Sequence, residues 1–187
     1  MSCSKGGMNV KKVTLSLILL MIVPILVACG TTIEEQKEKA IENVEQAFKA
    51  KPKEANKEVQ SISFHLPSDS KIEKETANNI FLEHGEEPII LFYNQFEKAT
   101  SKALYNGLIA APDKVIGEKS FEDDNRYGFI IINNSNEEDE YIVTVGIGGV
   151  KASTKSALKN VAEDAKLLME IVASTSFIEN EEESTDN

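Results

Sequence analysis

The sequence predicts an α+β fold with a mostly antiparallel sheet of about five to six strands. A helix at the N-terminal end and a helix at the C-terminal end are expected to pack on this sheet. Three observations support the prediction: an early apolar stripe at helical spacing, alternating runs in the middle, and a second helical stripe near the end. Runs of strands bracketed by helices are typical of α+β domains. We expect a single domain over residues 33–177.

The first helix is expected over residues 33–50. Thr32 and Glu35 have the spacing of a capping box, in which each side chain bonds to the other residue's backbone N–H. Ile41, Val44 and Phe48 then form one apolar stripe. This stripe either packs on the domain, which we favour, or leaves the helix as an exposed stalk.

The middle of the chain predicts strands. Residues 53–60 read as a charged linker, and residues 61–66 alternate between apolar and polar side chains, which is typical of a half-buried strand. Residues 79–83 and 88–93 flank a turn and predict a hairpin. Residues 89–92 are apolar on both faces and predict a central strand.

The second half predicts a crossover, three strands and a helix. A short helix is expected at residues 101–105, followed by a strand at 115–121 and a hairpin formed by 126–132 and 141–147. The last helix is expected to begin near Ser153 or Thr154 and to end near residue 174. Its apolar stripe consists of Leu158, Val161, Ala165, Leu168 and Val172. Residues 178–187 carry five acids and predict a disordered tail.

The N-terminal segment has the features of a secretory signal peptide. Lys5, Lys11 and Lys12 precede an uncharged, nearly unbroken apolar run over residues 13–28, which ends in a small residue. This run is shorter than the roughly 20 residues that a spanning helix needs. An uncleaved membrane helix remains the alternative, and either Met1 or Met8 could be the start.

Leu26, Val27, Ala28, Cys29 and Gly30 resemble the lipobox of bacterial lipoproteins: an aliphatic residue three before a cysteine, a small residue before it and glycine after it. The resemblance implies removal of residues 1–28 and attachment of a diacylglycerol to Cys29. Residues 29–32 would then be the lipidated cysteine and a short tether. The expected location is the extracytoplasmic face of the cell membrane, and the residue usage favours a Gram-positive source.

Charge and cysteine content exclude several functions. Removing residues 1–28, which carry three lysines and no acids, changes the net charge from −11 to −14 and leaves 159 residues. Such an acidic chain lacks the basic surface that nucleic-acid binding needs. Cys29 is the one cysteine after the cleavage point, so no disulfide and no thiol chemistry are expected.

The best candidate for a ligand site is the glycine-rich stretch before the predicted last helix. It comprises Gly146, Gly148, Gly149, Lys151 and Ser153. At a junction between a strand and a helix N-terminus, backbone N–H groups could hold an anion. The alternative is structural: the glycines make a sharp turn or let another backbone approach.

Metal binding and catalysis have little support in the sequence. His65 and His84 lie near carboxylates but lack the spacing of a metal site, so no metal and no cofactor are expected. No activated serine motif is present. We therefore expect a non-enzymatic, lipid-anchored domain that binds or supports an envelope protein. The alternatives are a carrier or sensor of a small ligand or anion, using residues 146–153, and an envelope enzyme.

Overall fold

The structure is a computed structural model that describes residues 31–110 and 114–178. The chain divides after Gly30, and the fold belongs to the second unit, Thr31–Asn187. Its helices are α1 (Ile33–Lys49), α2 (Ala103–Ile109) and α3 (Val161–Ser174), and a 3-10 turn, Leu158–Asn160, precedes α3. Its strands are β1 (Lys57–Val59), β2 (Ile62–Phe64), β3 (Ser70–Thr76), β4 (Asn79–His84), β5 (Glu87–Tyr93), β6 (Val115–Glu122), β7 (Tyr127–Asn134), β8 (Glu140–Ile147), β9 (Val150–Ala157) and β10 (Ser176–Phe177).

Helix α1 begins at the predicted capping box. The Glu35 N–H donates to Thr32 Oγ1 at 3.3 Å, and the Thr32 N–H donates to the Glu35 carboxylate at 3.5 Å. The helix ends before Pro52, because a proline disfavours helical conformation in the residue before it. Val44 and Phe48 are buried, and α1 packs against α3. The expectation that the stripe packs on the domain is confirmed, and the stalk alternative is wrong.

Seven strands form the main sheet in the order β3-β4-β5-β9-β8-β7-β6, and every neighbouring pair is antiparallel. A second, small sheet has the order β1-β2-β10, and its strand pairs are also antiparallel. The predicted α+β class and both predicted hairpins are confirmed. The main sheet has one strand more than the upper end of the predicted range.

The two faces of the main sheet are covered differently. Helices α1 and α3 lie on the inner face, where α3 contacts β8 and β9, and α1 contacts β6 and β7. Helix α2 covers β7 on the outer face, where Phe129 and Ile131 pack with Leu104 and Leu108. Strand β7 is therefore buried on both faces. Over β5 the outer face is partly open, since Ile90 is 42% exposed.

The start of the last helix was predicted wrongly. Residues 150–157 form strand β9, and α3 begins only at Val161 rather than near Ser153 or Thr154. The inward-facing residues of β9 include Ala152, Thr154 and Ser156, which are small or polar. Their alternation therefore lacks the strong apolar signal of an ordinary half-buried strand.

Other boundaries also differ from the predictions. The predicted linker at residues 53–60 contains β1, and the charged strand β3 was not predicted. Charged side chains are typical of edge strands, because they discourage pairing with other chains. The short crossover helix is at Ala103–Ile109 rather than at residues 101–105. Strand β5 is interior in the sheet as expected, but only one of its faces is fully buried.

Candidate functional site

The predicted anchor lies outside the described residues. The structure does not describe the lipobox-like residues Leu26, Val27, Ala28 and Cys29. It also does not describe residues 179–187 of the predicted tail. Lipidation and signal removal therefore stay predictions. Within residues 31–110 and 114–178, no helix combines the length and the apolar character needed to cross a membrane.

The glycine-rich stretch forms a β-hairpin, which corrects its predicted position at a helix N-terminus. Ile147 pairs with Val150, so Gly148 and Gly149 form the two-residue turn between β8 and β9. Gly148 has a φ of +54°, a conformation that glycine adopts without steric cost. The anion-binding hypothesis thus loses the helix N-terminus on which it depended.

The turn is glycine-rich because another segment of main chain packs against it. A Cβ atom on Gly148 would lie 2.4 Å from the Lys98 carbonyl oxygen, and one on Gly149 would lie 2.6 Å from that of Asn94. The Gly148 N–H donates to the Tyr127 carbonyl oxygen at 2.9 Å, so it is already bonded within the fold. The turn therefore matches the structural alternative from the sequence analysis, in which the glycines let another backbone approach.

Gly146, Lys151 and Ser153 lie on the outer face of the sheet. Gly146 pairs with Lys151, and the Phe129 ring occupies the space where a Gly146 side chain would be. The Ser153 hydroxyl is hydrogen-bonded to that of Thr144 at 2.9 Å. These three residues therefore share one face of the β8–β9 strand pair, and ligand binding by them stays a prediction.

We define the open face as Lys74, Phe81, Ile90, Phe92 and Lys151. Lys74 pairs with Phe81, Phe81 with Ile90, and Phe92 with Lys151. The Lys74 Nζ atom lies 5.8 Å from the Phe81 ring centroid, and the Lys151 Nζ atom lies 5.5 Å from that of Phe92. The result is an apolar strip with a lysine on either side.

Sequence reasoning missed this surface for two reasons. It expected residues 89–92 to be covered on both faces, and it did not predict β3, which carries Lys74. The available signal was the alternation in β4, where Phe81 lies between the buried residues Ile80 and Leu82. That alternation places Phe81 on the opposite face of the sheet from the core.

The lysines of the outer face differ in their partners. Lys71 forms ion pairs with Glu73 at 2.7 Å and Glu83 at 3.0 Å, and these carboxylates raise its pKa. Similarly, carboxylates raise the pKa of Lys155, which pairs with Glu137 and Glu140. Within the described ranges, neither Lys74 nor Lys151 has a carboxylate oxygen within 4.0 Å. Partial burial lowers the pKa of Lys151.

A concavity of about 290 Å³ lies beside the β8–β9 turn. Its walls are mostly apolar and include Ile147, Val150 and Phe177. Arg126 also lines it, but its guanidinium donates to Asp123 at 2.7 and 3.0 Å, which lowers the pKa of that carboxyl group. The concavity therefore offers apolar contacts rather than an uncommitted cation at Arg126.

The two histidines have separate hydrogen-bond partners. His65 Nδ1 is hydrogen-bonded to the Glu54 carbonyl oxygen at 2.9 Å, and His84 Nδ1 to the Ser70 hydroxyl at 2.8 Å. In the part of the chain that the structure describes, no group of three His, Cys, Asp or Glu residues could hold a metal ion.

One buried hydroxyl is bonded to a carboxylate. The Ser156 hydroxyl donates to Asp164 at 2.6 Å, and burial raises the pKa of Asp164 despite this hydrogen bond. The exposed fraction of Ser156 is 0%. A substrate could not reach this hydroxyl in the observed conformation, so the pair supports the packing of α3 on β9 rather than nucleophilic chemistry.

The class that the fold and the surface define is an α+β domain with a partly open sheet face, and comparison with known proteins adds no family to it. No family model matches the sequence, and no curated protein matches it. A solved structure from Bacteroides thetaiotaomicron VPI-5482 has 11% identity and a TM-score of 0.36 over 64% of this chain. The match covers 46% of that protein, so the chain spans less than half of its length.

Proposed function

We propose that the chain is a lipid-anchored extracytoplasmic lipoprotein whose α+β domain binds an envelope protein without catalysing a reaction. The anchor part rests on the lipobox-like residues that end in Cys29. The binding part rests on one observation, the open face around Ile90, whose side chain is 42% exposed in an interior strand.

The composition of the open face supports protein binding. Large exposed apolar patches rimmed by polar residues mark interaction sites on soluble domains. Here Ile90 is exposed, and Phe81 and Phe92 beside it are half-buried. Two aromatic rings and an isoleucine provide the apolar part, and two lysines provide the rim. Aromatic side chains supply much of the binding energy in protein interfaces. A partner that covers Ile90 would therefore gain apolar burial that the isolated domain leaves unused.

The anchor is tested with Cys29→Ala. The thioether needs the cysteine sulfur, so we expect this variant to accumulate as unprocessed precursor and to incorporate no labelled lipid. Immunoblotting and metabolic labelling with a fatty acid measure both properties. Normal processing together with lipid labelling of the variant would show that the anchor is not at Cys29.

The binding surface is tested with a photo-crosslinking amino acid placed at Ile90 in cells. The matched control carries the same amino acid at Gln46, an exposed position of α1 on the other side of the sheet. We expect a specific protein adduct from position 90 and none of the same mass from position 46. Identical adduct patterns from both positions would contradict the proposed use of the open face.

A second candidate function is the binding of a small ligand, favoured by the concavity of about 290 Å³ beside Gly149. Its walls favour an apolar ligand over the anion expected from the sequence. Filling the space with Ala173→Leu should abolish a ligand-dependent rise in Tm without lowering the Tm of the free protein by more than a few degrees. If no ligand in an apolar panel raised the Tm of the unaltered protein, this function would lose its support.

A further inference from the structure

We infer that the open face binds a protein segment in which carboxylates stand on either side of apolar side chains. This inference rests on the proposed function, and it specifies the chemistry of the partner. Two features carry it: the two lysines of the open face flank its apolar strip, and neither has an ion-pair partner among the described residues.

Lys74 and Lys151 differ from other lysines of the chain in their place on either side of the apolar strip. The whole sequence has a net charge of −11, yet the two lysines of the open face have no ion-pair partner among the described residues. Their neighbours Lys71 and Lys155 are each neutralised by two carboxylates. Lys74 and Lys151 instead lie near aromatic rings, and among the described residues no carboxylate oxygen within 4.0 Å competes with a partner for their charges.

The spacing of the two lysines limits the partner. Three strand separations and two residues along a strand lie between Lys74 and Lys151, which places their Cα atoms roughly 16 Å apart. A helix covers this distance in about eleven residues, and an extended strand in about five. One short amphipathic segment can therefore place a carboxylate near each lysine while its apolar side chains cover Ile90.

A protein segment fits this surface better than a lipid bilayer does. Attraction to anionic lipids takes clusters of about four to eight basic residues. The open face has two uncompensated lysines in a strongly acidic chain, which is too few for that purpose. A carboxylate that reaches a partly desolvated lysine instead forms a charge-assisted hydrogen bond, which is stronger than one between neutral groups.

The experiment uses the mature lipidated protein in nanodiscs of zwitterionic lipid. Three labelled 18-residue amphipathic peptides with the same leucine pattern are compared by fluorescence anisotropy, with glutamate, glutamine or lysine on the flanks. The acidic peptide should bind most tightly, and the double variant Lys74→Glu/Lys151→Glu should weaken it roughly tenfold or more. The matched control Lys39→Glu/Lys166→Glu makes the same change of net charge at exposed positions of α1 and α3.

The outcomes separate this inference from the proposed function. Equal weakening by both double variants, or tighter binding of the lysine peptide, would overturn the acidic partner. Binding of phosphatidylglycerol vesicles that depends on Lys74 and Lys151 would overturn it in favour of a lipid surface. An adduct from position 90 on a partner segment without carboxylates would also refute the inference but leave the proposed function intact. No adduct from position 90 would refute the proposed function itself.

Discussion

At the scale of single residues, the β8–β9 turn shows why a glycine pattern is ambiguous. The same residues could cradle an anion or admit a neighbouring backbone, and only the second use needs Lys98 and Asn94 nearby. Those two residues are about 50 positions earlier in the chain. Their approach is a tertiary contact, which the local sequence does not encode.

Replacing Gly148 tests the close packing of this turn. Gly148→Ala would force a side chain into a positive φ and within 2.4 Å of the Lys98 carbonyl oxygen. We expect a loss of about 2–4 kcal/mol in the free energy of unfolding, measured by urea denaturation. The control Gly107→Ala lies in α2 with open space around it and should stabilise by about 0.5–1 kcal/mol. Equal effects of the two substitutions would show that the turn is not tightly packed.

Asp164 predicts a pH dependence of stability. Burial raises its pKa above the ordinary value of 3.8, and Glu163 raises it further, whereas the Ser156 hydrogen bond and the His84 charge lower it. The folded state therefore holds this proton more tightly than the unfolded chain does. The contribution of Asp164 to stability falls as pH rises from about 3.8 through the raised pKa.

The variant Asp164→Asn should remove this fall. We expect the variant to gain stability relative to the unaltered protein as pH rises from 4 to 7, measured by urea denaturation across that range. Glu38→Gln is the control, since it removes an exposed carboxylate that is not among the groups shifting the pKa of Asp164. If the Asp164→Asn difference stayed constant with pH, its carboxyl group would have the same pKa in the folded and unfolded states.

At the scale of elements, α1 and α3 are joined by polar contacts around Ala162. The Ala162 N–H, near the start of α3, donates to the Gln36 side-chain oxygen at 3.0 Å. The Asn43 side chain donates to the Ala162 carbonyl oxygen, also at 3.0 Å. Because Asn160 forms no side-chain cap, α1 supplies the acceptor that the beginning of α3 lacks.

Gln36→Ala should therefore destabilise more than an exposed helix substitution. Gln36 is buried, so its removal leaves the Ala162 N–H without this acceptor, at an expected cost of about 1–3 kcal/mol in the free energy of unfolding. Gln46→Ala is the control in the same helix, where the side chain is exposed, and its effect should stay within about 0.5 kcal/mol. Similar values from chemical denaturation of both variants would show that the contact contributes nothing measurable.

Elements with a strong apolar pattern could be predicted, and those without one could not. Strands β7 and β8 carry long runs of Ile and Val, and α1 carries both a capping box and a stripe. Strand β3 is charged because it forms an edge, and β9 presents small residues to α3 because the helix packs closely over it. Their hydrogen-bonding partners, rather than their own side chains, determine these strands.

At the scale of the whole molecule, the proposed anchor determines which end of the domain lies near the bilayer. Thr31 is two positions after Cys29, so the main chain between them spans at most about 7 Å. Thr31 lies at a concavity shared with Asp139 and Leu158, at the end of the sheet that holds the β7–β8 turn. A lipid on Cys29 would hold that end nearest the membrane.

The opposite end holds the β8–β9 turn and the adjacent concavity. Strand β8 has eight residues, so the two ends lie about 26 Å apart. In the proposed orientation the β7–β8 turn is nearest the membrane, and its acids Glu138 and Asp139, which have no ion-pair partner among the described residues, would be repelled by an anionic bilayer surface. We therefore expect the sheet to stand away from the bilayer, with the open face directed toward partners beside it rather than toward the lipid.

This orientation is measurable with fluorophores attached through Glu138→Cys or Lys98→Cys in the lipidated protein. Cys29 is the only other cysteine after residue 28 and would carry the proposed lipid, so labelling would be site-specific. In nanodiscs that contain a headgroup quencher, position 138 should be quenched strongly and position 98 weakly, because quenching decays over less than the length of the sheet. Equal quenching would mean that the domain lies flat on the bilayer. Lipid would then compete with a protein partner for the open face.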